Sequence, residues 1–544
     1  MYVSTGWLVL TADNSGHLLE GALAHYQYTG SRQFLDVMIR NIDCYIDNIG
    51  PKEGQLHAYP GHPEIELAVL RLYKVTQDQR HLDFAHYLLS ERGQKRDDQE
   101  GLSYFSYEAR QRKDEIYPHT MSGLDEFSYA QAHATLHDQQ DILGHSVRAL
   151  YLTTAAADYG GQFLEDAKRL WADCVDKKMY ATGGIGTEPI WEGFSAIPYR
   201  LPQGTAEGGC YAETCASIAC MMTSERILSY GYDGKVRDVL ELCLLNGALG
   251  GASLNGQQFS YANKHATTGD ETAIRNDWFE GESVLPCCPL TVVCCCPPNL
   301  SRTLGMLGGY TWSADIDESA RTINLDVYLF VAATRTINLP DGQATVTMRT
   351  EMPWVGQVDI QTTAPQGWKW NIQLPQPDYA ENVRSSVATA EKSTGSTLAT
   401  LDATSSLQMT FDMPVRLLAS HPLSFTDTLT VQRGPIVYTA ESIDNDAVES
   451  TYPHFAGVGI TESIVFTESK LDIEGIPVVM LQARDGVFGK EQVNAVSAYR
   501  PIAKGAPAVT WKKLEQGLVL VPWFARANRG GQGHVRTSFD RCVQ

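Results

Sequence analysis

The chain has 544 residues, 43% hydrophobic and 20% charged, with a net charge of −21. This is the composition of a soluble globular protein, and the length implies two or more domains. The acidic excess excludes a nucleic-acid partner, which needs clustered Lys and Arg, and disfavours an anionic membrane surface. No apolar run approaches the ~20 residues of a membrane span. The start, Met1-Tyr2-Val3-Ser4-Thr5-Gly6-Trp7, lacks a basic region followed by an apolar stretch, so no signal peptide is visible and a cytoplasmic location is expected.

Residues 12–310 read mainly as helix, with apolar spacings of three and four in Leu18, Leu19, Ala22, Leu23 and in Ile65, Leu67, Ala68, Leu70, Leu72. Within this region Gly-His recurs at Gly16-His17, Gly61-His62 and Gly144-His145, with spacings of 45 and 83 residues. These are close to one and two units of about 42 residues, the length of a helical hairpin in stacked repeats. Each Gly-His is expected to start an equivalent helix, and Tyr28-Thr29-Gly30 and Tyr73 to Gln77 to close two of them. If the hairpins form a ring, His17, His62 and His145 converge at one end of an inner barrel. Taken singly, each Gly-His also reads as a helix start with a hydrogen-bonded core histidine. His133 and His137 either line the same end or lie on the surface.

Ten of the 12 cysteines lie from Cys174 to Cys296. A disulfide-stabilised chain would spread them, so this clustering points to reduced thiols and a metal or catalytic site. Cys44, Cys174, Cys220 and Cys243 are expected in the core. Two clusters carry chemistry: Glu213-Thr214-Cys215, and Cys294-Cys295-Cys296 directly before Pro297-Pro298-Asn299. Thiolates and a carboxylate are zinc ligands, and a thiolate is also a strong nucleophile. Adjacent cysteines diverge on a regular helix or strand, so the backbone there is expected to be irregular, with a new helix starting near Asn299. The positive end of that helix favours thiolates. The Thr182-Gly183-Gly184-Ile185-Gly186 turn lacks the strand-to-helix context of a nucleotide fingerprint.

Beyond about Val327 the pattern alternates with period two, as in Ile323 to Leu329, Ala344 to Arg349 and Val358 to Gln361. These read as short antiparallel strands of one or two β-sandwiches. Ser385 to Ser406, rich in Ser, Thr and Ala, reads as a loop or edge region. The boundary falls near 310–325, giving a helical catalytic domain over 1–315 and a β-sandwich region over 316–544.

Several stretches together resemble the zinc- and cysteine-dependent glycosidases of glycoside hydrolase family 127, typified by β-L-arabinofuranosidases. They are Tyr59 to Ala68, Leu143 to Tyr151, Thr182 to Gly186, Glu213 to Ala216, Cys295 to Asn299, Gln432 to Tyr438 and Ala527 to Gly530. The resemblance implies an α+β multidomain chain, an (α/α)6 barrel followed by C-terminal antiparallel β-sandwich domains. It implies a retaining exo-glycosidase that releases a terminal furanose, most simply β-L-arabinofuranose, from a carbohydrate substrate. It implies zinc held by Glu213, Cys215, Cys295 and Cys296, with Cys295 as nucleophile, Glu192 as general acid/base, and His17, His62 and His145 on sugar hydroxyls. Retaining hydrolysis needs a nucleophile and a proton donor flanking the anomeric carbon. Three sulfurs and a carboxylate fill a tetrahedral zinc site, and an apolar setting near Trp191 is expected to raise the Glu192 pKa. Glu188 and Glu207 are neighbours able to take that role.

Three departures stand out. The segment before the first Gly-His is short, which threatens barrel closure and makes His17 the histidine to stray. Cys287 and Cys288, in an apparent insertion after Trp278-Phe279, read as spare thiols that imitate the motif. The stretch Gln203 to Cys210 is long and is expected to reshape the pocket. Two other readings stay open: a lyase or isomerase acting on a sugar or small metabolite, and a non-catalytic zinc-stabilised glycan-binding barrel. A homodimer is allowed for.

Overall fold

The computed structural model describes residues 6–113, 128–189, 191–269, 295–392, 394–491 and 509–542. Cys287, Cys288 and Cys294, and most of the insertion around them, lie outside the described residues.

The first part is built from helical hairpins. They are α1 (Gly6–Thr29) with α2 (Gln33–Asn48), then α3 (Glu64–Thr76) with α4 (Gln79–Glu91). After the short α5 (Tyr104–Arg112) come α6 (Ser146–Tyr159) with α7 (Gln162–Lys177), and α8 (Thr214–Leu228) with α9 (Gly234–Leu242). A π-helical stretch, Cys243–Ala248, continues α9, and α10 (Cys296–Gly305) and α11 (Leu307–Thr311) close the region. The sequence separates two layers of helix. In α2 and α7 the buried residues fall on one stripe, for example Leu35, Met38 and Ile42. In α3, α6 and α8 nearly every side is buried. A helix apolar on one stripe is an outer helix, and one buried all round is an inner helix. The contacts agree: α1 packs on α3, α3 on α6, α6 on α8 and α8 on α10, while α2, α4, α7 and α9 each cover the preceding inner helix.

The expected register holds at the closing ends, where Gly30 follows α1 with φ 74 and Gln77 caps α3 in the left-handed region. The starts are less uniform. His145 is the N-cap of α6, its ring accepting from the backbone N–H groups of Val147 and Arg148. His62 stands two residues before α3. His17 lies inside α1, because nothing between Gly6 and Gly16 breaks that helix.

The helical region ends at Thr311 and strands begin at Trp312. The first ten strands are β1 (Trp312–Asp317), β2 (Thr322–Val327), β3 (Ala333–Leu339), β4 (Gly342–Thr350), β5 (Gln357–Thr363), β6 (Lys369–Pro375), β7 (Glu381–Ser385), β8 (Thr389–Lys392), β9 (Ser396–Asp402) and β10 (Ser405–Asp412). They form two sheets, ordered β1-β2-β6-β9-β8 and β3-β4-β5-β10-β7. Pairing is antiparallel except between β2 and β6. Ile323, Trp370 and Leu401 of one sheet share a core with Val346, Ile360 and Met409 of the other, which makes the pair a sandwich. The Ser385–Ser406 stretch, expected as loop or edge, contributes β8, an edge strand, and β9, an inner one. Thr400 and Asp402 of β9 are exposed, while Ala399 and Leu401 point inward. A third sheet, of eleven strands among the described residues, follows from Val415 to Arg541 with its own core around Val431, Tyr438 and Phe539. Among the described residues no helix is long and apolar enough to cross a membrane.

Candidate active site

Glu213 and Cys215 sit at the start of α8, and Cys295 and Cys296 at the start of α10, two inner helices packed together. The helix begins at Cys296, three residues earlier than expected, because Pro297 and Pro298 occupy first-turn positions where the missing N–H costs nothing. Cys295 is its N-cap and is itself in the helical region (φ −73, ψ −41), so the irregular backbone expected there is not needed.

Four ligand atoms converge: the Sγ atoms of Cys215, Cys295 and Cys296 and a Glu213 carboxylate oxygen lie within 4.8 Å of one another. The Cys215–Cys296 and Cys295–Cys296 sulfur distances are 3.3 and 3.9 Å. Glu213 Oε1 is 3.6 Å from Cys296 Sγ and 3.7 Å from Cys295 Sγ. A tetrahedral ion with bonds of about 2.3 Å to sulfur and about 2.0 Å to oxygen spaces its ligands by about 3.5–3.8 Å. The cluster can therefore hold a metal ion, and its thiolate-rich donor set suits zinc.

The four acids do not share charge evenly. Burial, with the negative charge of Cys295, pushes Glu213 well above the usual carboxylate range. Burial likewise raises Cys215 and Cys296. Cys295 moves the other way, because hydrogen bonds from the Cys215 and Cys296 thiols outweigh its burial. Cys295, whose pKa falls, is also the only exposed member of the four.

Glu192 faces this cluster. The Tyr261 hydroxyl donates to Glu192 Oε1 at 3.1 Å and lies 3.6 Å from Cys295 Sγ. His145 Nε2 is 3.0 Å from Glu192 Oε2, while its Nδ1 accepts from the Val147 N–H at 3.2 Å. Nε2 therefore carries the proton and donates to the carboxylate. The expected raised pKa is not found: burial pushes Glu192 up, but the bonds from His145, Tyr211 and Tyr261 outweigh it, and the net shift is downward. The Glu192 backbone is left-handed, with φ 56. Its carbonyl is gripped by the Ser146 N–H at 3.0 Å and hydroxyl at 2.9 Å. Gly193 has no room for a side chain, since a Cβ would stand 2.2 Å from the Gly144 carbonyl oxygen. This contact ties the Glu192 turn to the third Gly-His. In the Thr182 to Gly186 turn, Gly183 serves packing, with φ 72 and a would-be Cβ 3.1 Å from the Cys243 backbone.

The three histidines gather around Tyr151. His62 is 5.3 Å from its ring and 6.1 Å from His145, and His17 is 6.5 Å from Tyr151. His17, though 46% exposed, is held by Glu64 at 3.0 Å, and Glu64 also accepts from Arg302 of α10 at 3.1 Å. The remaining candidates are engaged elsewhere. Glu188 pairs with Arg200 and Glu207 with Arg536. His137 pairs with Asp166 and stacks on Phe163, away from the cluster. The Gln203 to Cys210 stretch docks on the C-terminal sheet through Gln203 and Ser538. Cys174, Cys220 and Cys243 are in the core as expected, whereas Cys44 is exposed on the outer helix α2.

Two residues of the site were not expected from sequence. Tyr261 lies in a loop with no periodic signal. Asp13, 3.6 Å from His17 and 3.4 Å from His62, is pushed up to about 6 chiefly by burial. Its spacing of four from His17 on one helix face is a signal that was legible.

A helical domain with a carboxylate, a thiolate and a ring of histidines at one end, followed by β-sheets, has the make-up of a sugar-cleaving enzyme, and comparison with known proteins gives the same class. A family profile described as the GH127 catalytic domain of β-L-arabinofuranosidase matches residues 10–309, and one described as the glycoside hydrolase family 127 C-terminal domain matches residues 415–535. The non-reducing end β-L-arabinofuranosidase of Bifidobacterium longum subsp. longum is 31% identical over 541 residues, 94% of this chain and 76% of that protein. The crystal structure of a GH127 β-L-arabinofuranosidase from Geobacillus stearothermophilus superimposes with a TM-score of 0.82 at 27% identity, covering 99% of this chain and 82% of that one. A second solved GH127 β-arabinofuranosidase gives a TM-score of 0.75 at 26% identity, covering 98% and 76%. The protein is a glycoside hydrolase, acting on a carbohydrate. It belongs to glycoside hydrolase family 127.

Proposed function

We propose that the protein is a retaining exo-glycosidase that releases a terminal β-L-arabinofuranose, with Cys295 as nucleophile and Glu192 as general acid/base. The observation that carries this is the Tyr261 hydroxyl, placed between the Glu192 carboxylate and the Cys295 sulfur at 3.1 and 3.6 Å. The two groups thus lie no more than two hydrogen-bond lengths apart, in keeping with the ~5 Å spacing of a retaining pair.

Glu213, Cys215, Cys295 and Cys296 would hold zinc. The ion would supply a charge that keeps these sulfurs deprotonated near neutral pH. Cys295 attacks the anomeric carbon while Glu192, entering protonated, gives its proton to the leaving oxygen. Glu192 then takes a proton from water as the glycosyl–sulfur bond is hydrolysed. Its low resting pKa favours this second, basic role and predicts that the first step is faster at acid pH. His17, His62, His145 and Asp13 line the wall on which sugar hydroxyls would rest. The alternation of inner and outer helices supports an (α/α)6 barrel. The switch from helix to strand at Trp312 supports a catalytic domain over roughly 1–315 and a β-region over 316–544.

The test is mass spectrometry after treatment with a furanose-mimicking electrophile, alongside a panel of aryl furanosides and pyranosides assayed with and without a chelator. Label on Cys295 with turnover of the β-L-arabinofuranoside is expected. Label on Cys287, Cys288 or Cys294, or no turnover of any furanoside, overturns the reading.

A further inference from the structure

Ala212, the residue before Glu213, has a left-handed backbone with φ 46. An alanine keeps such a conformation only where its surroundings impose it. Here the Gly186 carbonyl holds one side, accepting from the Tyr211 and Ala212 N–H groups at 3.1 and 2.8 Å, and Asn263 holds the other. The Asn263 N–H donates to the carbonyls of Tyr211 and Ala212 at 3.0 and 3.2 Å. Its side-chain nitrogen donates to the Ala212 carbonyl at 3.0 Å and to Thr214 Oγ1 at 2.9 Å. The segment around Asn263 also bridges Glu213 through Ala262 and carries Tyr261. One short loop therefore aims both the Glu213 carboxylate and the hydroxyl between Glu192 and Cys295.

The loop is anchored from outside the helical region. Asn263 Oδ1 accepts from Arg526 Nη2 at 2.6 Å. Arg526 belongs to the C-terminal β-region, is 3% exposed, and donates through Nη1 to the carbonyls of Gly250 and Trp523 at 3.0 and 3.1 Å. Its guanidinium lies 3.7 Å over the Trp523 ring, Trp523 stacks on His265 at 4.7 Å, and His265 stacks on Tyr180 at 4.3 Å. The fit leaves no slack: a Cβ on Gly250 would stand 3.0 Å from Trp523 Nε1 and 3.2 Å from Arg526 Nη1. A planar guanidinium fixed on three sides orients the Asn263 amide, with its oxygen toward the positive charge and its nitrogen toward two acceptors.

We propose that Arg526 is a positioning residue for the active site. Through Asn263 it sets the direction of Glu213 and Tyr261, so the β-region completes a centre whose reacting groups all lie in the helical region. This rests on the reading of Glu213 as a metal ligand.

The test uses the full chain loaded with cobalt(II), whose thiolate-to-metal absorption reports the ligand geometry, and a competing chelator, which reports affinity. Asn263→Asp keeps the size and the Arg526 contact but turns two donors into an acceptor facing a carbonyl. Arg526→Met removes the guanidinium, and Arg526→Lys keeps the charge. Outer-shell partners of metal ligands typically control affinity by about 10–100-fold. Asn263→Asp and Arg526→Met are expected to lower metal affinity by that factor, to shift the absorption band, and to lower kcat more than they change KM. Arg526→Lys is expected to recover part of the loss, and the double variant to be little worse than either single one. If Arg526→Met does not fold, Asn263→Asp decides the matter alone, because it leaves the Arg526 contact in place. Folded Asn263→Asp with unchanged affinity, band and kcat overturns this inference only. A wild-type chain that binds neither zinc nor cobalt overturns the proposed metal site and this inference with it.

Discussion

The Tyr261 hydroxyl donates to the Glu192 carboxylate at 3.1 Å. The same oxygen lies 3.6 Å from Cys295 Sγ, so its removal alters acid and nucleophile together. A hydrogen bond to a charged group contributes about 1.5–3 kcal/mol, so Tyr261→Phe should lower kcat by about 10–100-fold. The bond also holds the Glu192 pKa down. The limb of the pH–rate profile set by Glu192 should therefore move to higher pH in the variant. A profile and kcat like those of the wild type would exclude Tyr261 from the reaction.

The zinc assignment gives a second expectation. Elemental analysis of the purified chain should find about one zinc per molecule, as a single tetrahedral site requires. Cys215→Ser should lower that occupancy strongly, because Cys215 is buried against Cys296 and turns no sulfur toward solvent. Full occupancy in the Cys215→Ser, Cys296→Ser double variant would move the metal elsewhere, with Cys287 and Cys288 the next thiols to examine.

The parts of this site legible in the sequence are those written in local strings. Glu213 and Cys215 are two positions apart, Cys295 and Cys296 are adjacent, ligand chemistry marks each pair, and the family resemblance joins them into one set. The hairpin repeat located His62 and His145 near helix starts, because capping is a local affair. It misplaced His17 within the interior of α1, since a repeat cannot show where a helix without a breaker begins. Tyr261, Asn263 and Arg526 were illegible for another reason. Each acts through partners tens to hundreds of residues away, in loops where neither period two nor period 3.6 leaves a mark. The expected pKa of Glu192 differs from the observed direction because Trp191 is its neighbour in sequence, whereas the bonds it receives from His145 and Tyr261 are made only in the fold.

Acid should weaken the fold through His265. Its ring is fully buried between Tyr180 and Trp523, and burial lowers its pKa from 6.5 to about 3. Below 6.5 the unfolded chain binds a proton that the folded chain refuses. The contribution of His265 is therefore complete above pH 6.5 and is lost as pH falls from 6.5 toward 3, by about 1.4 kcal/mol per unit. His81, also lowered by burial, acts in the same direction. Urea unfolding at pH 7, 6 and 5 should show the decline, and His265→Phe should flatten it. Because acid also strips metal from thiolates, the comparison between variant and wild type isolates the histidine. Equal slopes for the two proteins would remove His265 from the account.

Glu66 and Arg92 form an ion pair at 2.9 Å with both side chains fully buried. Arg92 also donates to the Pro60 and Ala130 carbonyls, each at 2.9 Å, and so fixes the segment that leads into Gly61-His62. Burial alone would push the Glu66 carboxyl up, and the guanidinium opposes that rise. Breaking such a pair leaves one uncompensated charge in the core and typically costs about 3–5 kcal/mol, whereas replacing both partners costs far less than the sum. Glu66→Gln and Arg92→Met should each lower the unfolding free energy by an amount in that range. The double variant should be little worse than the more damaging single one. Denaturant unfolding of the three variants, with matched m-values, measures the coupling directly. Additive losses would mean that the two charges are solvated independently, in conflict with their complete burial.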